Sequence, residues 1–327
     1  MRQPIRLIFC TGLALMLALV VLAQTGQTDQ PAKPAKDAKP LRLAFITCCK
    51  DAVFFEPVKK GMRDAAKAMN VECDWLGTEG VDLKAQAALV RKAVADGYDG
   101  IALSLIDPEA FDDVVAEAVQ KGVPVVGFNV DDHATPNARL SSVNQRLYES
   151  GKSLGKYVAP RIEPNSHVLM TMHDEGVSAL EDRLSGIQDV LKKKNVRWTV
   201  LIPGNDAAKG TEVIRKTLQE NPDIRVVLCT GQADTEAAGR VIEKHFPNQG
   251  YWAAGFDLSP TTLELIQKGH ILVTVDQQPY VQGYYPVVQL ALNLRYGIVP
   301  SDIDAGAIMI DRSKAARVLE LTKQKYR

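Results

Sequence analysis

From Leu41 onward, short apolar runs alternate with longer stretches in which apolar side chains recur every three or four positions. Leu41–Thr47 (LRLAFIT) is β-rich and apolar enough for a strand buried on both faces. Phe54–Met69 follows with Val58, Met62, Ala65, Ala66 and Met69 at helical spacing. Val71–Leu76 reads as a second strand. Residues 82–96 read as a helix capped by Asp82 and ended at Gly97. Gly100–Leu105 is a strand, Pro108–Lys121 a helix stopped at Gly122, and Val123–Phe128 another strand. Strand–helix–strand units with right-handed crossovers build an open parallel sheet covered by helices on both faces.

The rhythm then restarts. Ser166–Met172, Trp198–Ile202, Arg225–Cys229 and Tyr251–Phe256 read as strands, separated by helices over Leu180–Lys193, Glu212–Glu220 and Asp234–His245. Both rounds end alike, on Gly127-Phe128-Asn129 and Gly255-Phe256-Asp257. The distance from Thr47 to Gly127 is 80 residues, and from Met172 to Gly255 it is 83. The pattern therefore predicts an α/β chain of two similar Rossmann-like lobes in tandem. A last helix is predicted over Ser313–Lys325.

The first 40 residues are of another kind. Residues 1–6 are basic, residues 7–23 are nearly all apolar, and Ala23 with Val21 two positions earlier supplies a small-residue cleavage site. That is the pattern of a cleavable secretory signal peptide, with cleavage after Ala23; the alternative is an uncleaved membrane anchor, for which seventeen apolar residues is at the short limit of a span. Residues 24–40 carry no large apolar side chain and repeat Pro-Ala-Lys, a solvated linker.

Composition narrows the function. Of 327 residues 46% are apolar and 24% charged, with 39 basic against 39 acidic. Export would remove Arg2 and Arg6, leaving 37 against 39. Nucleic-acid binding needs clustered basic excess, and none is present. Cys48, Cys49, Cys73 and Cys229 would remain after export. They are too few for a disulfide scaffold and not spaced for zinc, though a bridge from Cys73 to Cys48 or Cys49 is open.

In open parallel sheets ligands sit beyond the C-terminal ends of the strands. In the first lobe those ends carry Asp51, Phe54, Phe55, Trp75, Asn129 and Asp131. In the second they carry His173, Asp174, Arg183, Gln232, Asp234 and Asp257, and Gln277 follows the last strand. Planar amides, carboxylates and a guanidinium engage neighbouring hydroxyls in pairs, while aromatic faces cover the C–H side of a ring. The set has carbohydrate chemistry. The chain contains no GxxxxGK, GxSxG or HExxH motif, and its five histidines are scattered. No catalytic residue, cofactor or metal is expected.

These residues carry a resemblance. From about Leu41 on, the chain resembles the periplasmic sugar-binding proteins of the ribose/galactose type, the solute receptors of ABC importers, which share their fold with LacI-family repressors. Phe54 and Phe55 fall where that family has two phenylalanines opening the first helix, one stacking on the sugar. Arg183, Asp257 in Gly-Phe-Asp, and Gln277 before Gln278-Pro279 match its ligand arginine, aspartate and hinge-side glutamine. Asn129 stands where the ribose binder has an aspartate. The family arginine that follows is Val130 here, with Asp131 and Asp132 as its substitutes. The family's Asn-Pro is Ala52-Val53, with Lys50 or Asp51 as substitutes, and its asparagine is Ala233, with Gln232 or Asp234 beside it.

The resemblance implies two lobes joined by three crossings, near Ser142–Asn144, Gln278 and Ala307–Ile310, with ligand in the cleft between them. The first lobe then comprises residues 41–143 plus 278–307, the second 144–277 plus 308–327. It implies a monomeric periplasmic receptor for a small sugar or polyol that delivers its ligand to ABC transporter membrane subunits. A receptor reporting to a membrane sensor would share the same site. A carbohydrate-processing enzyme would need two carboxylates across the cleft, and Asp131 with Asp257 is the pair on offer. Local chemistry supplies plainer roles: core packing for the phenylalanines and Trp75, turn chemistry for Asn129 and Asp131, and a solvated turn for His173-Asp174.

Overall fold

The computed structural model describes residues 39–107, 109–131 and 137–327. The expected signal peptide, the linker up to residue 38, the expected helix start at Pro108 and Asp132 lie outside the described residues.

Two six-stranded sheets carry the fold. The first comprises β1 (Leu41–Thr47), β2 (Val71–Gly77), β3 (Gly100–Leu103), β4 (Val125–Asn129), β5 (Ser141–Asn144) and the late β11 (Ile303–Asp304). Its spatial order is β2-β1-β3-β4-β5-β11, and every pairing is parallel. The second comprises β6 (His167–Thr171), β7 (Arg197–Leu201), β8 (Val226–Cys229), β9 (Trp252–Phe256), β10 (Ile271–Asp276) and β12 (Ile308–Asp311). Its order is β7-β6-β8-β9-β10-β12, parallel except for the antiparallel β12. The central strands β3 and β8 are buried throughout, which is why they read as unbroken apolar runs.

The helices are α1 (Glu56–Met69), α2 (Leu83–Ala95), α3 (Asp112–Gln120), α4 (Leu147–Val158), α5 (Ser178–Leu191), α6 (Ala207–Glu220), α7 (Gln232–His245), α8 (Pro260–Lys268), α9 (Pro279–Tyr296) and α10 (Arg312–Lys323). Asp82 caps α2 by accepting from the Ala85 amide at 2.9 Å, as its sequence position predicts. Asp206 does the same for α6 through Ala208 and Lys209, so that helix starts five residues earlier than its apolar spacing suggests. The expected helix from Phe54 instead opens with a 3₁₀ turn, Val53–Phe55, before α1 proper starts at Glu56 with Pro57 in its first turn. Beyond the elements read from the sequence stand β5, α4, α8, β10, α9, β11 and β12.

The chain passes between sheets three times. It leaves β5 of the first sheet for α4, which packs on α5 beside the second sheet. It returns from β10 through Gln277-Gln278 to α9, which packs on α1 and β4. It leaves β11 for β12, and α10 then packs on α8. Each sheet thus has its own apolar layers on both faces. Phe45, Phe128 and Val58 fill one in the first lobe; Leu169, Ile214 and Val241 fill one in the second.

Candidate functional site

The strand ends that the sequence singles out converge between the sheets. Asn129 closes β4 and Asp257 follows β9, and both take left-handed backbone, at φ 65° and 69°. Asn and Asp tolerate that region better than other non-glycine residues, so each strand turns sharply on a polar side chain. Gly255 precedes Asp257 because a Cβ there would lie 2.1 Å from the Thr235 hydroxyl.

Hydrogen bonds connect the buried polar groups into one path. The Ser104 hydroxyl donates to Asn129 Oδ1 at 3.4 Å, and Asn129 Nδ2 donates to Gln282 Oε1 at 3.3 Å. Gln282 Nε2 donates to Gln277 Oε1 at 3.0 Å, and Gln277 Nε2 donates to Asp257 Oδ1 at 2.6 Å. Arg183 reaches Asp257 from the other side, its Nη1 3.5 Å from Oδ2, and that nitrogen also donates to the Thr230 carbonyl at 2.9 Å. Its guanidinium lies 4.4 Å above the Phe256 ring. Burial pulls the Arg183 pKa below its ordinary value, opposed by Asp257 and Asp234; an arginine nonetheless stays charged. Asn129, Arg183, Asp257 and Gln277 are all buried. The sequence reading does not find Gln282, since it lies within an α9 stretch that carries no motif.

Beside Asp257 opens a cavity of about 360 Å³, lined by Val53, Phe54, Gln232, Asp257, Lys325 and Arg327 among others. Two of its walls belong to different lobes. Lys325 and Arg327 enter it because the segment after α10 crosses to the first lobe. There Lys325 Nζ meets Glu56 at 2.7 Å, and the Tyr326 ring packs 5.3 Å from Tyr280. On another side of the cleft, the Ser178 amide donates to the Ile106 carbonyl at 3.2 Å, so the lobes touch.

The remaining expected site residues separate by role. Phe54 is half-buried and lines the cavity, whereas Phe55 is 5% exposed and packs into the core 5.3 Å from Trp75. Trp75 stacks among Phe45, Phe55 and Phe128, with its indole N–H on the Lys50 carbonyl. Asp131 is held by Arg139, with contacts of 2.7 Å to each carboxylate oxygen. Asp234 is fully buried and accepts from the Thr171 hydroxyl and the Thr230 and Gly231 amides, fixing the start of α7. Gln232 donates to the Leu258 carbonyl at the cavity wall. Asp51 is exposed, and the Asp174 carboxylate accepts from His173 Nδ1 at 3.2 Å. Burial lowers the His173 pKa, but Asp174, Asp234 and Asp257 together outweigh it and raise the net value.

All four described cysteines are free thiols. Burial pushes Cys73 up to about 12 and Cys229 upward as well, and the hydrogen bond with Cys49, followed by burial, raises Cys48, so these three stay protonated. Among the described residues no group of three or more His, Cys, Asp or Glu is placed to hold a metal ion.

Known proteins share this two-lobed fold. Residues 43–297 match the model of a periplasmic binding protein domain. The xylose/arabinose-binding protein XylF of Sulfolobus acidocaldarius is 29% identical over 291 residues, 83% of this chain and 71% of the relative. The ribose import binding protein RbsB of Bacillus subtilis is 26% identical over 230 residues, 70% of this chain and 74% of the relative. The crystal structure of a carbohydrate transporter from Acidothermus cellulolyticus in complex with myo-inositol has a TM-score of 0.80 at 27% identity, covering 88% of this chain and 100% of the other. The chain belongs to the periplasmic binding protein family, as a sugar-binding protein of the ribose/galactose type.

Proposed function

We propose that the chain captures a small sugar or polyol between its lobes and hands it to the membrane subunits of an ABC importer, as an exported monomer that leaves its ligand chemically unchanged. The observation that carries this reading is the meeting of Arg183, Asp257 and Gln277 in one buried network beside a cavity that Phe54 lines. A guanidinium, a carboxylate and an amide at hydrogen-bonding distance offer paired donors and acceptors to neighbouring hydroxyls, and Phe54 offers an apolar face to the ring. The relatives support the ligand class, since they are named for xylose, arabinose and ribose, and one is bound to myo-inositol. Their periplasmic character supports export, as does the basic-then-apolar start of the chain.

A thermal-shift screen of the protein from Leu41 onward, against pentoses, hexoses and inositols, tests the reading. A ligand that binds only the folded state stabilises it by about 2.7 kcal/mol at about 100 times its Kd. One or a few sugars should raise the midpoint and be recovered intact. Arg183→Ala and Asp257→Ala should each weaken that sugar's binding at least about tenfold, because each leaves a polar partner buried and unpaired. No shift across the panel would sink the sugar reading, and consumption of the compound would make the chain an enzyme.

A further inference from the structure

Gln145 lies in the first crossing, between β5 and α4, and is fully buried. Its side-chain oxygen accepts from Arg183 Nε at 3.2 Å, from Arg183 Nη2 at 2.9 Å and from the Ser150 hydroxyl at 2.9 Å. Its nitrogen donates to the Gly306 carbonyl at 2.8 Å. Gly306 lies in the third crossing, between β11 and β12. One amide therefore grips the Nε–Nη2 edge of the arginine and bridges two crossings between the lobes. With that edge held and Nη1 on Thr230, the guanidinium plane is set before any ligand arrives. A planar fork that is already aligned loses little freedom when it closes on hydroxyls.

We propose that Gln145 is the positioning residue for Arg183: it presents the arginine to ligand and ties its orientation to the crossings that move when the lobes open and close. The inference rests on Arg183 being a ligand contact. Nothing in the sequence around Gln145 marks it. It acquires the role because β5 and β11 are neighbours in the first sheet, which brings Gly306 beside the first crossing.

The test uses Gln145→Leu, which removes both functions at similar volume, and Gln145→Glu, which keeps an acceptor for Arg183 but cannot donate to Gly306. Each is combined with Arg183→Met. Binding is measured by calorimetry with D-xylose, L-arabinose, D-ribose and myo-inositol, and stability by urea denaturation without sugar. Gln145→Leu should weaken binding of whichever sugar the unaltered protein takes by tenfold or more. Gln145→Glu should restore it to within about threefold, a rescue that a mere packing role would not produce. In the Arg183→Met background Gln145→Leu should have little further effect on affinity, and it should lower the denaturation midpoint by less than it does with Arg183 present, since only the bonds to Ser150 and Gly306 are then left to lose. Unchanged affinity in Gln145→Leu, or losses that simply add to those of Arg183→Met, would overturn the proposal. If the unaltered protein binds none of the four, the sugar reading falls instead. The denaturation cycle then still decides the Gln145–Arg183 link, supported by non-additive midpoints and overturned by additive ones.

Discussion

Two aspartates of the second lobe show how residues of one type, 23 positions apart, divide the work. Asp257 faces Arg183 and Gln277 beside the cavity. Asp234 is turned inward, and its carboxylate takes the Thr171 hydroxyl at 2.6 Å and the Thr230 and Gly231 amides at 3.0 Å each. Burial raises its pKa, and these donors pull it back down together with His173. Removing the carboxylate takes this partner from the Thr171 hydroxyl and the Gly231 amide, while the Thr230 amide keeps the Thr171 carbonyl at 3.1 Å, and each buried donor left without a partner costs about 1–3 kcal/mol. Asp234→Ala should therefore cost about 2 kcal/mol or more in urea denaturation, with less than a tenfold change in sugar affinity among the folded molecules. Wild-type stability in this variant would remove Asp234 from the structural role assigned here.

At the scale of elements, each lobe holds a helix pair at unusually close range, and glycines make both possible. In the first lobe a Cβ on Gly61 of α1 would lie 2.0 Å from the Tyr280 carbonyl oxygen of α9, and one on Gly283 would lie 1.9 Å from that of Val58. In the second lobe a Cβ on Gly151 of α4 would lie 2.2 Å from the Arg183 carbonyl oxygen of α5, and one on Gly186 would lie 2.2 Å from that of Tyr148. Backbone cannot yield as a flexible side chain does, so the helices must part. Gly151→Ala should cost about 1–3 kcal/mol of stability by overpacking. Because the displaced backbone is that of Arg183, sugar affinity should fall with it. Calorimetry and denaturation on the same preparation check both effects, and wild-type values for both would refute the close crossing. Gly61→Ala imposes the same kind of strain far from Arg183.

The whole molecule is tied together where the segment after α10 meets the second crossing. Asp276 is almost wholly buried, Arg327 Nε lies 3.1 Å from one carboxylate oxygen, and the Gln278 amide donates to the other. Arg327 Nη1 also donates to Gln278 Oε1 at 2.9 Å. Burial raises the Asp276 pKa, and Arg327 and the Gln278 amide restrain it. Arg327→Met removes the cation, at a cost of about 1–3 kcal/mol near neutral pH. For a carboxyl whose folded pKa lies above its unfolded one, the stabilising contribution is present at low pH and lost as pH rises through the folded value. The deficit of Arg327→Met should therefore be larger at about pH 8 than at about pH 5, and Asp276→Asn in the same background should flatten that dependence. Denaturation midpoints across that range measure it; a deficit equal at both ends would show that Asp276 is not the group responsible.

Local pattern alone determined the two-lobed α/β architecture. Buried parallel strands are continuous apolar runs, helices repeat at 3.6 residues, and the endings at Asn129 and Asp257 mark two equivalent rounds. It also put Asp257 and Gln277 among the candidates, because polar residues at the C-terminal ends of parallel strands face a common cleft whatever their neighbours are; the family resemblance, not the pattern, set Arg183, Asp257 and Gln277 apart from the rest. It did not distinguish Phe54 from Phe55, adjacent residues of one type, because which ring enters the core depends on the 3₁₀ turn that precedes Pro57. Nor did it separate Asp257 from Asp234, or Asp131 from its partner Arg139, because a carboxylate's role follows from the donors that folding brings to it. Gln145, Gln282 and Arg327 each bond a group far along the chain (Arg183 and Gly306, Asn129, and Asp276 respectively), and only the pairing of β5 with β11 and the packing of α9 and the segment after α10 brought those partners to them. Their roles belong to the tertiary structure, because contacts between distant residues leave no periodic trace in the sequence.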